Sequence, residues 1–307
     1  MIDRVVYLLA ASFVWFLQAL PLRAVARLGR WGGGLAYWID ARHRKVALRN
    51  LTMAFGAEKQ ESEIRAIACE NFKRLGENYC GAIKTAGMTF EELSRYVEIA
   101  GAEKILPRPD ESEVPSRVVA IGHFGNFELY ARFGQFTSLY QCITTYRGLR
   151  PPSLDRLLQT LREKSGCLFF ERRSDASALK AAMNGPGKML GLLCDQHAGS
   201  GGLRLPFFGE ECSTSSAPAV FALRYRCRLF TGFCFRTGLG RWRLEVDEEI
   251  ATHENGQPRP TEAIMLDVNR AFEAAIRRDP ANWFWVHKRW KPAKVATRQI
   301  EPAAVEP

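Results

Sequence analysis

Apolar and polar positions along this chain follow two periods. From Glu58 to Ala86, Ile64, Ile67, Ala68, Phe72, Leu75 and Tyr79 recur every three or four residues, which predicts a long helix with one buried face. Short apolar runs then appear at 96–99, 117–121, 139–146, 167–170, 188–194, 229–235 and 242–246, and these read as strands. Helical segments are predicted between them at 129–138, 154–165, 176–183 and 218–225, with a closing helix from Thr261 to Arg278. Residues 107–115 are acidic and proline-containing and read as a surface loop. The run Val118–Ile121 has no polar alternation, as expected of a strand covered on both faces. The alternation predicts an α/β fold with a mainly parallel central sheet covered by helices, preceded by an N-terminal hydrophobic helix.

That first segment is a separate matter. Val5 to Leu22 is eighteen residues without a charge, flanked by Asp3 and Arg4 before and by Arg23, Arg27 and Arg30 after. Its length is at the lower limit for a span. Three readings are open: an interfacial or buried helix, a single membrane anchor, and a cleaved signal for which no small-residue cleavage site is evident. The basic flank behind the run puts the body of the chain on the cytoplasmic side. The expected organisation is an anchoring or interfacial helix over 1–30, one catalytic-sized domain over 31–295 and a disordered tail over 296–307.

Composition narrows the function classes. At 307 residues with 47% hydrophobic and 25% charged positions, the chain can bury a full globular core. A formal charge of +10 favours anionic partners: nucleic acid, anionic lipid or a phosphorylated substrate. The eight cysteines contain no CxxC pair, so zinc-site spacing is absent, and they read as reduced, mostly buried thiols, Cys194 included. The triplet Gly32–Gly34 follows no strand and is not a phosphate loop.

The candidate chemistry gathers beyond strand ends, where open parallel sheets place their sites. His123, Arg147, Arg172 and Asp195 each stand just past a predicted strand. In Gly122-His123-Phe124-Gly125-Asn126-Phe127-Glu128, a histidine precedes a carboxylate by five residues. On one continuous helix the two side chains would diverge by about 140°. They meet only if His123 stands in a turn that Gly122 and Gly125 permit and the helix begins near Asn126, a plausible N-cap. His123 is then the expected general base and Glu128 the carboxylate that orients it. The bland alternative, a strand-capping histidine beside a solvated glutamate, stays open on these residues alone.

Four segments in order then carry a resemblance. The HxxxxE of His123 and Glu128, Cys194-Asp195-Gln196-His197, Leu205-Pro206-Phe207-Phe208-Gly209 with Thr214 and Ala217-Pro218-Ala219, and Trp283 through Lys291 resemble the bacterial lipid A biosynthesis lauroyl/myristoyl acyltransferase family. Ala217 departs from that pattern, which has Gly there. The resemblance implies transfer of a fatty acyl group from an acyl carrier protein thioester, or from acyl coenzyme A, to a hydroxyl of a glycolipid on the cytoplasmic face of the inner membrane. It implies no cofactor, no metal, no nucleic-acid partner and an anionic membrane surface nearby. Asn126, Arg147, Arg162, Arg172, Arg173 and Asp195 are the expected substrate-binding residues, with the register leaving Arg162, Arg172 and Arg173 as alternatives for one functional arginine. Backbone N–H groups near Gly125 and Asn126, or an arginine, would stabilise the oxyanion. Competing readings are a phosphatidylinositol mannoside or lysophospholipid as acceptor, a thioesterase or lipase using the same pair, for which no GxSxG elbow exists, and a non-catalytic basic module.

Overall fold

Val118 to Ile121 are all buried, because the strand they form lies at the centre of the sheet with both faces covered. The computed structural model describes residues 2–291 apart from 110 and 112, so the expected tail over 296–307 lies outside the described residues. The elements run α1 (Ile2–Ala19), α2 (Leu22–Ile39), α3 (Ala41–Phe55), α4 (Glu61–Gly87), α5 (Phe90–Ser94), β1 (Val97–Ala100), β2 (Arg117–Ile121), α6 (Phe133–Thr137), β3 (Gln141–Tyr146), α7 (Pro152–Arg162), β4 (Leu168–Glu171), α8 (Ala176–Met183), β5 (Lys188–Leu193), β6 (Leu203–Phe207), β7 (Glu210–Thr214), α9 (Ala217–Arg224), β8 (Arg228–Gly238), β9 (Arg241–Ile250) and α10 (Thr261–Arg278).

Seven strands form one sheet in the order β1-β9-β8-β2-β5-β3-β4, and only the β8–β9 pairing is antiparallel. The mostly parallel sheet expected from the pattern is therefore present. Side chains alternate across β2: Val118 and Ala120 join the core under α3, α4, α9 and α10, whereas Val119 and Ile121 face a second core with Cys142, Met189 and Leu244.

The hydrophobic pattern missed three features. The second half of α2 and all of α3 occupy stretches to which no element is assigned, and β6–β7 is a small antiparallel hairpin apart from the main sheet. Pro206 inside β6 removes a donor and masks the strand signal. In α2 the glycines serve packing: a Cβ on Gly29 would strike the backbone of Gly76, and one on Gly33 that of Phe72. The two helices approach backbone to backbone, and the buried Glu77 locks them by accepting from Arg30, from Arg236 and from the Gly240 N–H.

The N-terminal run is divided between two helices at Pro21, and the boundary expected after residue 30 falls inside α2. No helix among the described residues is long and apolar enough to cross a membrane. Helix α1 packs against α4 and α7. The outer faces of α1 and α2 leave Leu9, Trp15, Trp31, Trp38 and Ile39 about 70% exposed (68, 72, 69, 73 and 72%).

Candidate active site

The site begins with strand register. Adjacent strands β2 and β5 are parallel, with Ile121 opposite Leu193. Two residues further on, His123 and Asp195 therefore stand side by side at the carboxyl ends. His123 Nδ1 is 2.7 Å from Asp195 Oδ1, and the His123 backbone N–H donates to Oδ2 at 2.7 Å. The indole N–H of Trp283 donates to the same Oδ2 at 2.8 Å. Gly122 leaves room for this hold: a Cβ there would press on the Phe124 ring and on Asp195 Oδ2. At Gly125 the backbone is left-handed (φ +50°) and a Cβ would meet the Cys234 carbonyl at 2.5 Å, so glycine is required.

Asp195 is almost completely buried. Burial acts to raise its carboxyl, but the charge of His123 and the hydrogen bonds from His123 and Trp283 outweigh it and hold the carboxyl below its ordinary value. An ionised carboxylate only accepts, so Nδ1 carries a hydrogen, and in the neutral ring the lone pair is on Nε2. Nε2 faces the Gln196 side-chain amide at 3.3 Å, and the ring lies between Phe127 and Phe284.

Glu128 is elsewhere. Its carboxylate takes a two-pronged ion pair from Arg162, Nη2 to Oε1 at 2.7 Å and Nε to Oε2 at 3.1 Å. The turn after Asn126 continues as a 3₁₀ helix over Phe127–Arg132, which aims Glu128 at α7. The carboxylate on the imidazole is thus Asp195, not the sequence-adjacent Glu128. Both His123 and Glu128 line one apolar groove walled by Tyr79 and Ala82 of α4 and by Leu158 and Leu161 of α7. Phe127, Glu128, Ala131 and Arg162 also line a second apolar cavity that runs along the sheet past Ile121, Thr144, Gly191, Met189 and Val119.

Of the three candidate arginines, only Arg162 lines these cavities. It stacks on Phe169 with its guanidinium carbon 4.6 Å from the ring centroid, and its Nη1 is buried with no partner among the described residues. Arg172 and Arg173 are exposed and, among the described residues, bond only through their backbone N–H groups, and Arg147 is exposed at the end of β3. None of these three lines the groove. Asn126 stands at the N-cap position expected of it, but it is buried and its side chain makes no capping bond; its amide lies 3.4 Å from Thr85 Oγ1.

The comparisons fit this geometry. A family model described as bacterial lipid A biosynthesis acyltransferase matches residues 1–292. The chain belongs to that family. It is also similar to the lipid A biosynthesis lauroyltransferase of Escherichia coli (strain K12), 25% identical over 291 residues, covering 92% of this chain and 90% of that one. It is therefore an acyltransferase of lipid A biosynthesis.

Within this lipid A acyltransferase, two local features escaped the sequence reading. Buried Arg132 donates to the Thr85 and Met88 carbonyls and closes the end of α4 over the groove, and buried Arg289 holds the segment after β5 through the Gln196 carbonyl. A lone arginine in an apolar stretch marks Arg132, whereas Arg289 stands among His287, Lys288 and Lys291 and nothing local sets it apart. Cys194 is buried beside the site, and burial pushes its thiol well up, which makes it inert as a nucleophile. All eight cysteines are free.

Proposed function

We propose that this acyltransferase moves a fatty acyl chain from an acyl carrier protein thioester to a hydroxyl of a lipid A precursor, with His123 as the base. The observation that carries it is His123, held by buried Asp195 through Nδ1 and lining an apolar groove, with Gln196 as the neighbour of its Nε2. Nε2 removes the acceptor hydroxyl proton as the oxygen attacks the thioester carbonyl. The tetrahedral intermediate then expels the thiolate, the carbon–sulfur bond breaks, and the imidazolium returns its proton to sulfur. An ester and a free thiol result, and no acyl-enzyme forms. Asp195 replaces Glu128 as the group that orients the base.

Glu128 and Arg162 take a different part in the same reading. They stand where the groove meets the cavity along the sheet, and the unpartnered Nη1 of Arg162 is a donor available to the developing oxyanion. The acyl chain enters the cavity past them, and a basic chain suits an acidic carrier as donor. The exposed apolar face of α1 and α2 supports attachment to the inner membrane from the cytoplasmic side, by lying on the bilayer rather than crossing it.

The test is incubation of the purified full chain in detergent with labelled acyl carrier protein and a lipid A precursor. Labelled ester on the precursor is the expected product, absent with His123→Ala. Free fatty acid as the sole product overturns transfer to this acceptor, and retained activity in His123→Ala overturns the role of His123.

A further inference from the structure

A third, polar pocket shares no lining residue with the groove or the sheet-side cavity. It is lined by Arg49 and Val46 of α3, by His197, by Arg204 of β6, and by Lys288 and Lys291 of the closing segment, with Trp290 as part of its wall. Among the described residues four cations line it and no carboxylate does. Among the described residues only Arg204 has an acidic partner, Glu211, at 3.1 Å. The floor is built rather than incidental. The buried Asn50 amide donates to the Trp285 and His287 carbonyls, at 2.8 and 2.7 Å, and the His197 N–H donates to His287 Nε2 at 3.1 Å. His197 Nδ1 is buried and has no partner among the described residues.

We infer that this pocket binds a phosphate group on the headgroup of the acceptor lipid, an inference that rests on the acyl-transfer reading above. Phosphate is the anion for which clustered lysine and arginine are suited, and an apolar wall of Val46 and Trp290 beside them fits the carbon face of a phosphorylated sugar. The position selects acceptor over donor. Gln196 contacts His123 Nε2, and His197, the next residue along the chain, lines the pocket, so one short segment links the pocket to His123. Helix α3, which supplies Val46 and Arg49, starts two residues after the exposed Ile39 at the end of the apolar face of α2. A lipid lying in the bilayer surface presents its headgroup at that level.

The test uses the full chain in detergent with Lys288→Ala/Lys291→Ala and, separately, Arg49→Ala; all three side chains are exposed and no fold-holding contact is lost. Acceptor is supplied either phosphorylated or after phosphatase treatment, with carrier-protein donor saturating. The double variant is expected to raise KM for phosphorylated acceptor roughly tenfold or more, as loss of charge-assisted phosphate bonds requires, with kcat and donor KM little changed. On phosphatase-treated acceptor, variant and wild type should coincide. Equal losses on both acceptors overturn the inference, and so does a rise in donor KM, which would assign the pocket to the donor's phosphate. Binding of the two acceptors without donor is measured in parallel. If the wild-type protein transfers to neither, the proposed reaction falls, while the pocket is still decided by whether the variants lose the binding preference for the phosphorylated form.

Discussion

Asp195 grips His123 at two points, its Oδ1 on the ring Nδ1 and its Oδ2 on the backbone N–H, both at 2.7 Å. The ring cannot rotate without breaking one hold, and the indole of Trp283 fixes the carboxylate in turn. Orientation of the His123 ring thus depends on a residue 72 positions away in sequence.

Replacing Asp195 by Asn keeps the shape but offers an amide where an acceptor-only group stood. The wrong ring tautomer becomes accessible, and kcat should fall by about 10²–10⁴ with acceptor KM within a few fold. Steady-state kinetics beside a far-ultraviolet spectrum check this. A kcat within threefold of wild type in a folded protein would sink the assignment.

Glu128 and Arg162 act as one unit, so their effects should not add. Glu128→Gln and Arg162→Gln are each expected to lower kcat/KM, and the double variant should be only slightly worse than Arg162→Gln alone. Summed losses in the double-mutant cycle would show that the two side chains work independently, against the shared ion pair.

The sequence reading succeeded where information is local and failed where it is not. The strands from β1 to β5 and helix α10 were legible from short apolar runs and from 3–4 spacing, and the turn at Gly122–Gly125 was legible from its glycines. Asp195 was marked as a site residue because it follows a strand, yet its partnership with His123 depends on β2 and β5 being neighbours, which no local pattern reveals. Glu128 is the nearest carboxylate along the chain, and local sequence therefore points to it rather than to Asp195. The arginine choice was open for the same reason: only the path of α7 across the groove separates Arg162 from Arg172 and Arg173.

Acyl-chain length should be set by the sheet-side cavity, and Gly191 of β5 is its most sensitive point. A Cβ there would sit 3.3 Å from Ile121 Cδ1, with Val119 and Met189 deeper in the cavity. Gly191→Val fills this space and should move the preference to a shorter chain. Two methylenes lost from burial correspond to about 1.6 kcal/mol, or roughly a tenfold drop in kcat/KM for the longer donor relative to one two carbons shorter. Competition between two carrier-bound chains gives that ratio directly; an unchanged ratio would remove the cavity from chain selection.

His287 makes stability depend on pH. Burial, aided by the charges of Lys291, His123 and Arg289 and opposed by Asp195, pulls it from its ordinary 6.5 down to about 4. The folded state thus takes up this proton less readily than the unfolded chain. Its contribution is intact above about pH 6.5 and is lost as pH falls toward about 4. Protonation would also remove the acceptor used by the His197 N–H. Melting temperatures should decline across this window, and less steeply in His287→Gln, whatever its offset at pH 8. Parallel curves would exclude His287 as the source.

Membrane attachment should rest on the apolar face of α1 and α2 more than on charge. Trp31 and Trp38 lie seven residues apart on α2, which places them two turns apart on one side of the helix. Indole rings favour the bilayer interface, and each that is transferred there contributes on the order of 1 kcal/mol or more. Trp31→Ser/Trp38→Ser should therefore weaken vesicle binding by about tenfold or more, with activity on detergent-dispersed acceptor preserved. Sedimentation with vesicles at low and high salt separates the two contributions, since screening acts on charge and not on apolar burial. Binding that survives the double substitution but disappears in salt would assign attachment to the basic surface and leave the exposed tryptophans without a membrane role.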